Sequence, residues 1–197
     1  MDFLWKRGDT VSGLLMPDRV FEHFYDIDPQ YLLSLGIKAL VIDIDNTLAP
    51  YEQAIPNERA IAWFASLSEN GISAALISNN KRERVETFNE SLGLPAYCKS
   101  GKPSAKNIRR AMAQMGSDKT NTAVLGDQLL TDVLGGKHIG LRAVLVPPIK
   151  DRSSAFFRFK RSLEVPTVKR YVKHCSDVES VSACGFWLDK RYKSNKE

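Results

Sequence analysis

Cysteine and histidine are scarce in this 197-residue chain, with three of each. Cys98, Cys175 and Cys184 are odd in number and scattered, which excludes a disulfide framework. They read as small, buried or half-buried hydrophobes of a reducing compartment. His174 and Cys175 with Cys184 have no second ligand pair at zinc-site spacing, so a structural zinc site is set aside. None of the histidines is expected to be catalytic; His138 reads as a favourable charge near a helix C-terminus. No apolar run approaches the ~20 residues that cross a bilayer. The stretch Met1–Arg7 lacks the basic start, long apolar run and small-residue cleavage site of an export signal. A cytoplasmic placement is expected. There is no internal repeat and no low-complexity tract.

What remains is a chain of ordinary globular composition, 43% hydrophobic and 26% charged, long enough for one domain with a sizeable core. Its net charge of +5 is unevenly placed. Residues 151–197 carry 11 Lys/Arg against 6 Asp/Glu, so all the excess lies there and residues 1–150 balance to zero. Catalysis and partner choice are therefore read from different parts of the chain.

From Gly36 onward, short apolar runs alternate with segments of helical period. Ile37–Ile42, Ile72–Ile77, Thr122–Leu125 and Leu141–Val146 read as strands buried on both faces, with a shorter one near Ala96–Cys98. Helices are predicted near Asn57–Glu69, with a stripe of Ile61, Phe64, Ala65 and Ser68, near Lys81–Leu92, and near Ser104–Met115. This alternation predicts an α/β fold with a mainly parallel sheet and helices on both faces. Residues 1–35 read as a flank of one or two short packed helices, and 36–150 as the core. Residues 151–197 read as a helix stopped near Pro166, followed by a weakly patterned basic tail packed on or extending from that core.

Four polar features follow predicted strands, where an open α/β sheet presents its ligand site. Asp43 and Asp45 follow the first strand, Ser78-Asn79-Asn80 the second, and Gly126-Asp127 with Asp132 the fourth; Lys102-Pro103 lies before the third helix. Each alone is ordinary turn chemistry. All four in this order are hard to explain as punctuation.

The arrangement resembles the haloacid dehalogenase-like (HAD) phosphatases, whose D-x-D-x-T, Ser, Lys and G-D-x4-D motifs occur in that order. More closely it resembles the YqeG family of subclass IIIA phosphatases. The residues that carry this are Asp43-Ile44-Asp45-Asn46-Thr47-Leu48, Ser78-Asn79-Asn80, Gly101-Lys102-Pro103 and Gly126 to Val133, with Pro17-Asp18 and Ile27-Asp28-Pro29 upstream. The resemblance implies a Rossmann-like three-layer sandwich and a Mg²⁺-dependent phosphomonoesterase. It implies that Asp43 attacks phosphorus, that Asp45 is the general acid and base, and that Lys102 neutralises phosphate oxygens. Asp43, the Asp45 carbonyl and Asp127 would hold Mg²⁺, and Asp132 would orient a metal-bound water or pair with Lys102. Ser78, Asn79 and Thr47 would line the phosphate site, with Thr47 bracing the loop.

The spacing between motifs leaves no room for a large cap domain, so an open site is expected. Such a site suits a lipid headgroup or macromolecule, and equally a small metabolite enclosed by a second subunit. YqeG-like proteins are similar to phosphatidylglycerophosphate phosphatases, which makes that lipid the leading substrate and a soluble sugar phosphate or nucleotide the alternative. Phe156-Phe157-Arg158-Phe159-Lys160-Arg161, with Lys169, Arg170 and Lys173, reads as a core-packing helix with a charged outer face. The same residues could instead dock on anionic lipid at the inner face of a membrane, or bind nucleic acid. Binding without catalysis is the alternative of another class, against which the intact acidic set argues. Arg82 and Arg84, which follow the Ser78 loop, read as solvated helix charge, with contact to a second anionic group as the alternative.

Overall fold

The computed structural model describes residues 13–150 and 155–188, with 155–158 as backbone alone. The N-terminal Met1–Arg7 and the basic residues beyond 188 lie outside the described residues, as do the side chains of Phe156, Phe157 and Arg158.

Six strands form one sheet: β1 (Arg19–Val20), β2 (Ala39–Asp43), β3 (Ser73–Ile77), β4 (Ala96–Tyr97), β5 (Thr122–Gly126) and β6 (Arg142–Leu145). Their order is β1-β6-β5-β2-β3-β4, and every pairing is parallel. The β2 residues Ala39 to Ile42 are no more than 1% exposed, as an unbroken apolar run in a doubly covered strand requires. Helices α1 (Pro29–Ser34), α2 (Glu58–Glu69) and α3 (Arg82–Asn89) share a core with Leu40, Ile42 and Leu76 on one face. Helices α4 (Lys106–Gln114), α6 (Ala155–His174), α7 (Val178–Ala183) and α8 (Gly185–Leu188) share the other core with Val41, Ile77 and Val124. A short α5 (Leu134–Lys137) follows a π-helical turn, Leu129–Val133. The result is the expected three-layer α/β sandwich.

β2 is the centre of the sheet, and the chain leaves it toward β3 and β4 on one side and toward β5 and β6 on the other. The crevice at the strands' carboxyl ends is therefore bounded by Asp43 at the end of β2 and Asp127 just after β5. Only α2 with β3, and α3 with β4, lie between the motif loops, so no domain is inserted among these described residues.

Three expectations need correction. The buried stripe of α2 is Ala60, Trp63, Phe64 and Leu67, while Ile61 is 42% exposed. The period is as read, but its phase is set by Trp63, whose indole N–H donates to the Ile27 carbonyl at 3.0 Å. Helix α3 stops at Asn89, whose side chain turns back to the backbone of Leu94. Helix α6 runs through Pro166 instead of stopping there. Pro166 faces solvent, where water can meet the carbonyl it leaves without a partner, while Glu164, Val168 and Tyr171 hold the helix to the core. Beyond α6, Cys184, Phe186 and Trp187 are buried.

The N-terminal flank holds the two short helical turns expected, Phe24–Asp26 and α1, and also the edge strand β1, too short to show a pattern. Its open edge is closed by α7. The Ser180 hydroxyl donates to the Val20 carbonyl at 3.0 Å and accepts the Val20 N–H at 3.3 Å.

Candidate active site

Asp43 ends β2 and is 3% exposed. Just beyond it the backbone turns through Asn46 at φ 68°, a left-handed conformation that asparagine tolerates better than most side chains. The Asn46 N–H donates to the Ala49 carbonyl, and its side-chain amide donates to the Lys150 carbonyl at 3.0 Å. This turn carries Thr47 back over the strand end, so that its hydroxyl is 3.1 Å from Asp43 Oδ2 and 3.4 Å from Asp127 Oδ1. Lys102 Nζ donates to Asp43 Oδ1, and to Asp132 Oδ1 at 2.7 Å. Both oxygens of Asp43 are thus engaged, and its carboxylate plane is fixed.

Asp45 has partners of its own. It accepts the Ser78 hydroxyl at 2.7 Å, and Arg84 Nε lies 3.3 Å from its other oxygen. Ser78, expected against phosphate, therefore has its proton committed to Asp45, while its oxygen accepts the Asn80 N–H. Asn79 accepts the Lys102 backbone N–H at 2.8 Å and so ties the second motif loop to the third. Asp132 sits close because the preceding strand ends in glycine. A methyl group at Gly126 would overlap the Asp132 carboxyl group.

Burial lifts the Asp43 carboxyl to about 7, with Lys102 opposing and Asp132 and Asp45 adding to the rise. Burial likewise raises Asp127 well above the usual carboxylate range, helped by Asp43 and Asp132. Burial works against the charge on Lys102, yet its Asp132 and Asp43 partners together hold its pKa above the ordinary lysine value. Four buried carboxylates, Asp43, Asp45, Asp127 and Asp132, face two cations, Lys102 and Arg84. One divalent cation would cancel that imbalance. Asp43, Asp127 and Asp132 each offer a carboxylate oxygen, all within 4.8 Å of one another, and an all-oxygen donor set suits a hard divalent ion. The residues present fit such a metal.

A cavity of about 410 Å³ opens above this group, with Asp43, Asp45, Asn79, Lys102 and Gln128 among its lining residues. Of the residues named from the motifs, Asp43, Asp45, Asn79 and Lys102 line it, whereas Thr47, Ser78, Asp127 and Asp132 are buried and outside the lining. Three participants were not foreseen. Arg84, read as solvated charge, has a side chain only 13% exposed and pairs with Asp45. Its signal was the inward spacing of Arg84 with Phe88, whose ring lies 5.2 Å from the guanidinium carbon. Lys160 enters the cavity wall from α6 and donates to Gln128 Oε1 at 3.0 Å. Glu164, 5% exposed, accepts the Leu129 N–H at 3.0 Å and the Trp187 indole N–H at 3.3 Å. It thereby caps the turn between Asp127 and Asp132. A single Glu in an amphipathic helix gives no such sign.

The chain is similar to known phosphatases. A family model described as HAD-hydrolase-like matches residues 99–153. The "Probable phosphatase YqeG" of Bacillus subtilis (strain 168) is 38% identical over 154 residues, covering 78% of this chain and 90% of that protein. The chloroplastic phosphatidylglycerophosphate phosphatase 1 of Chlamydomonas reinhardtii is 25% identical, covering 74% of this chain and 57% of that protein. The chloroplastic/mitochondrial enzyme of the same name from Arabidopsis thaliana is 28% identical, covering 75% and 45%. The chain spans only about half the length of these two plant-type relatives, but nearly all of the bacterial one. With its ordered motifs at the crevice of a parallel sheet, the chain belongs to the YqeG family of HAD-type phosphatases, hydrolases of phosphoric monoesters.

Proposed function

We propose that the protein hydrolyses a phosphomonoester through an aspartyl-phosphate on Asp43, with Mg²⁺ as the metal. The observation that carries this is the fixed carboxylate of Asp43, held by Thr47 on one oxygen and Lys102 on the other. An Asp43 oxygen attacks phosphorus while Asp45 gives its proton to the departing alkoxide. Water then attacks the same phosphorus, Asp45 takes the water's proton, and the P–O bond to Asp43 breaks to release phosphate. Lys102 neutralises phosphate oxygens, Asp132 holds Lys102 in place, and Ser78 and Arg84 orient Asp45. Asn79 keeps the Lys102 loop against the Ser78 loop, and Thr47 braces Asp43 beside Asp127. Asp43 and Asp127, with the Asp45 carbonyl, are the proposed metal ligands, and Asp132 lies close enough to join them or to orient their water. When bound, Mg²⁺ supplies the positive charge that lets a phosphate dianion approach these carboxylates.

The catalytic unit is residues 36–150, with 1–35 as a flank and 151–197 as a basic segment. The substrate we favour is phosphatidylglycerophosphate, named in two of the relatives. An uncapped cavity supports it. So does helix α6, which exposes Phe159 and Leu163 at one end and Lys169, Arg170 and Lys173 at the other, a pattern suited to an anionic membrane surface. No described helix is long and apolar enough to cross a membrane, so contact would be peripheral. A soluble sugar phosphate or nucleotide is the second reading, favoured by the same open cavity.

Phosphate release from phosphatidylglycerophosphate vesicles and from a panel of soluble monoesters, with Asp43→Asn as blank, tests both. Wild-type turnover that needs Mg²⁺ and vanishes in Asp43→Asn is expected, and acid quenching should trap phosphate on the wild-type protein. Near-normal turnover by Asp43→Asn would refute the mechanism. Release from soluble esters alone, without flotation on anionic vesicles, would refute the lipid assignment.

A further inference from the structure

We propose that Lys99 and Lys106, supported by Lys81 and Arg109, form an electrostatic approach path that draws the phosphorylated substrate to the cavity from the β4–α4 side. This rests on the phosphatase reading above and goes beyond it, because it concerns how the phosphate arrives, whatever molecule carries it.

Residues 91–117 contain five cations, Lys99, Lys102, Lys106, Arg109 and Arg110, and no Asp or Glu. The zero balance of residues 1–150 hides this stretch. Lys102 is bonded to Asp43 and Asp132 inside the site, and Arg110 lies over the Tyr97 ring with Asn107 as its acceptor. Lys99, Lys106 and Arg109 are exposed, and none of them pairs with a carboxylate among the described residues. Lys81, exposed ahead of α3, is in the same state. Glu83 is the nearest acid to it in the chain, and Glu86 is matched by Arg82 at 2.9 Å.

The place of these cations is set by the backbone. The Lys99 N–H donates to the Asn80 carbonyl at 3.0 Å, and the Ser100 N–H to the Ser78 carbonyl at 2.9 Å. The Lys102 N–H donates to the Asn79 side chain at 2.8 Å, and the Asn107 amide to the Ser100 hydroxyl at 3.3 Å. These bonds stitch the loop before α4, and the first turn of that helix, to the loop that carries Asn79 and Asn80. Asn79, Asn80 and Lys102 all line the cavity. Lys99 and Lys106 flank Lys102 in the chain, three positions before it and four after.

The site itself cannot supply the attraction. Its four carboxylates outnumber Lys102 and Arg84, so they repel a phosphate dianion, and one divalent ion brings that balance only to zero. Long-range attraction must come from charge around the opening. Unpaired cations beside a cleft focus such a field and raise encounter rates about tenfold or more.

The test is turnover of p-nitrophenyl phosphate with Mg²⁺ at low and physiological ionic strength, where charge is felt over about 30 Å and about 8 Å. The double variant Lys99→Asn/Lys106→Gln removes two charges; asparagine is chosen because Lys99 has φ 45°. At low salt its kcat/KM should fall about three- to tenfold, with kcat and melting temperature unchanged. At the higher salt it should approach the wild type. Lys38→Gln/Lys119→Gln removes the same charge ahead of β2 and β5, at the opposite end of the sheet, and should lose much less. Inorganic phosphate binding to the Asp43→Asn protein with Mg²⁺, followed by calorimetry, should weaken in the same order and needs no turnover. Equal losses in the two double variants would reduce the effect to net charge and overturn the proposal. So would a wild-type kcat/KM at low salt in Lys99→Asn/Lys106→Gln, or a loss confined to kcat. Failure of the phosphatase reading is separate: it would be seen as turnover that Asp43→Asn retains.

Discussion

Arg84 Nε lies 3.3 Å from the Asp45 carboxylate, with the two side chains 13% and 7% exposed. Arg84 also donates to the Ala54 carbonyl at 3.0 Å, so it links Asp45, the proposed general acid and base, to the segment leading into α2. Arg84→Gln should lower kcat about tenfold to a hundredfold, part of what general acid–base catalysis contributes. KM should change little, and Arg84→Lys should restore part of the rate. Steady-state kinetics beside melting temperatures check this; a wild-type kcat in a folded Arg84→Gln protein would remove Arg84 from the mechanism.

The crowded carboxylates give an expectation of opposite sign for stability and function. Asp127 is buried, and Asp43 and Asp132 repel its charge. Asp127→Asn should therefore raise the melting temperature in chelator by about 2–4 °C, the shift that roughly 1 kcal/mol gives at this size. Mg²⁺ should raise the melting temperature of the wild type through binding to the folded state, and the same variant should lose that rise. A wild-type response to Mg²⁺ in Asp127→Asn would remove that residue from the ligand set.

Gly126 is required by its neighbour more than by its own backbone, because a methyl group there would overlap the Asp132 carboxyl group. Gly126→Ala should cost about 1–3 kcal/mol, as overpacking usually does. Lys102 would lose its Asp132 partner as that side chain moves. Activity should fall much further than the melting temperature, and a Mg²⁺ titration of both will separate the two effects.

Glu164 ties stability to pH. Burial raises its pKa above the ordinary 4.5, against the pull of Arg161 and of the Trp187 and Leu129 donors. The folded state then holds its proton more tightly than the unfolded state. This contribution to stability is complete below about 4.5 and is lost as pH rises through the raised value. Glu164→Gln should flatten that part of the pH–stability profile. It should also cost about 1–2 kcal/mol at low pH, because an amide NH₂ would face one of the two N–H donors. An unchanged slope in denaturant melts across this window would show that Glu164 does not set it.

The sheet and the motif loops were legible because they rest on local signals. Unbroken apolar runs marked β2, β3, β5 and β6, and polar residues at their ends marked the crevice. Asp43, Lys102, Asp127 and Asp132 meet there as their order implied. What escaped depends on contacts between distant parts of the chain. The phase of α2 is decided by Trp63 meeting Ile27, and Arg84 is a surface charge until Ala54 and Asp45 close over it. Pro166 gave a true local stop signal that tertiary packing overrode. The edge strand β1 is too short to show a pattern, and it is ordered by β6 and by Ser180 of α7.

That last point bears on how the protein is made. The clasp between Val20 and Ser180 spans 160 positions, and the bond from Glu164 to Leu129 spans 35. A chain growing from its N-terminus holds every motif residue long before it holds α6 and α7. During that interval the edge of β1 stays open, and the turn between Asp127 and Asp132 lacks its cap. Synthesis alone thus delays the finished active site until the C-terminal helices emerge, a timing device written into which residues do the clasping.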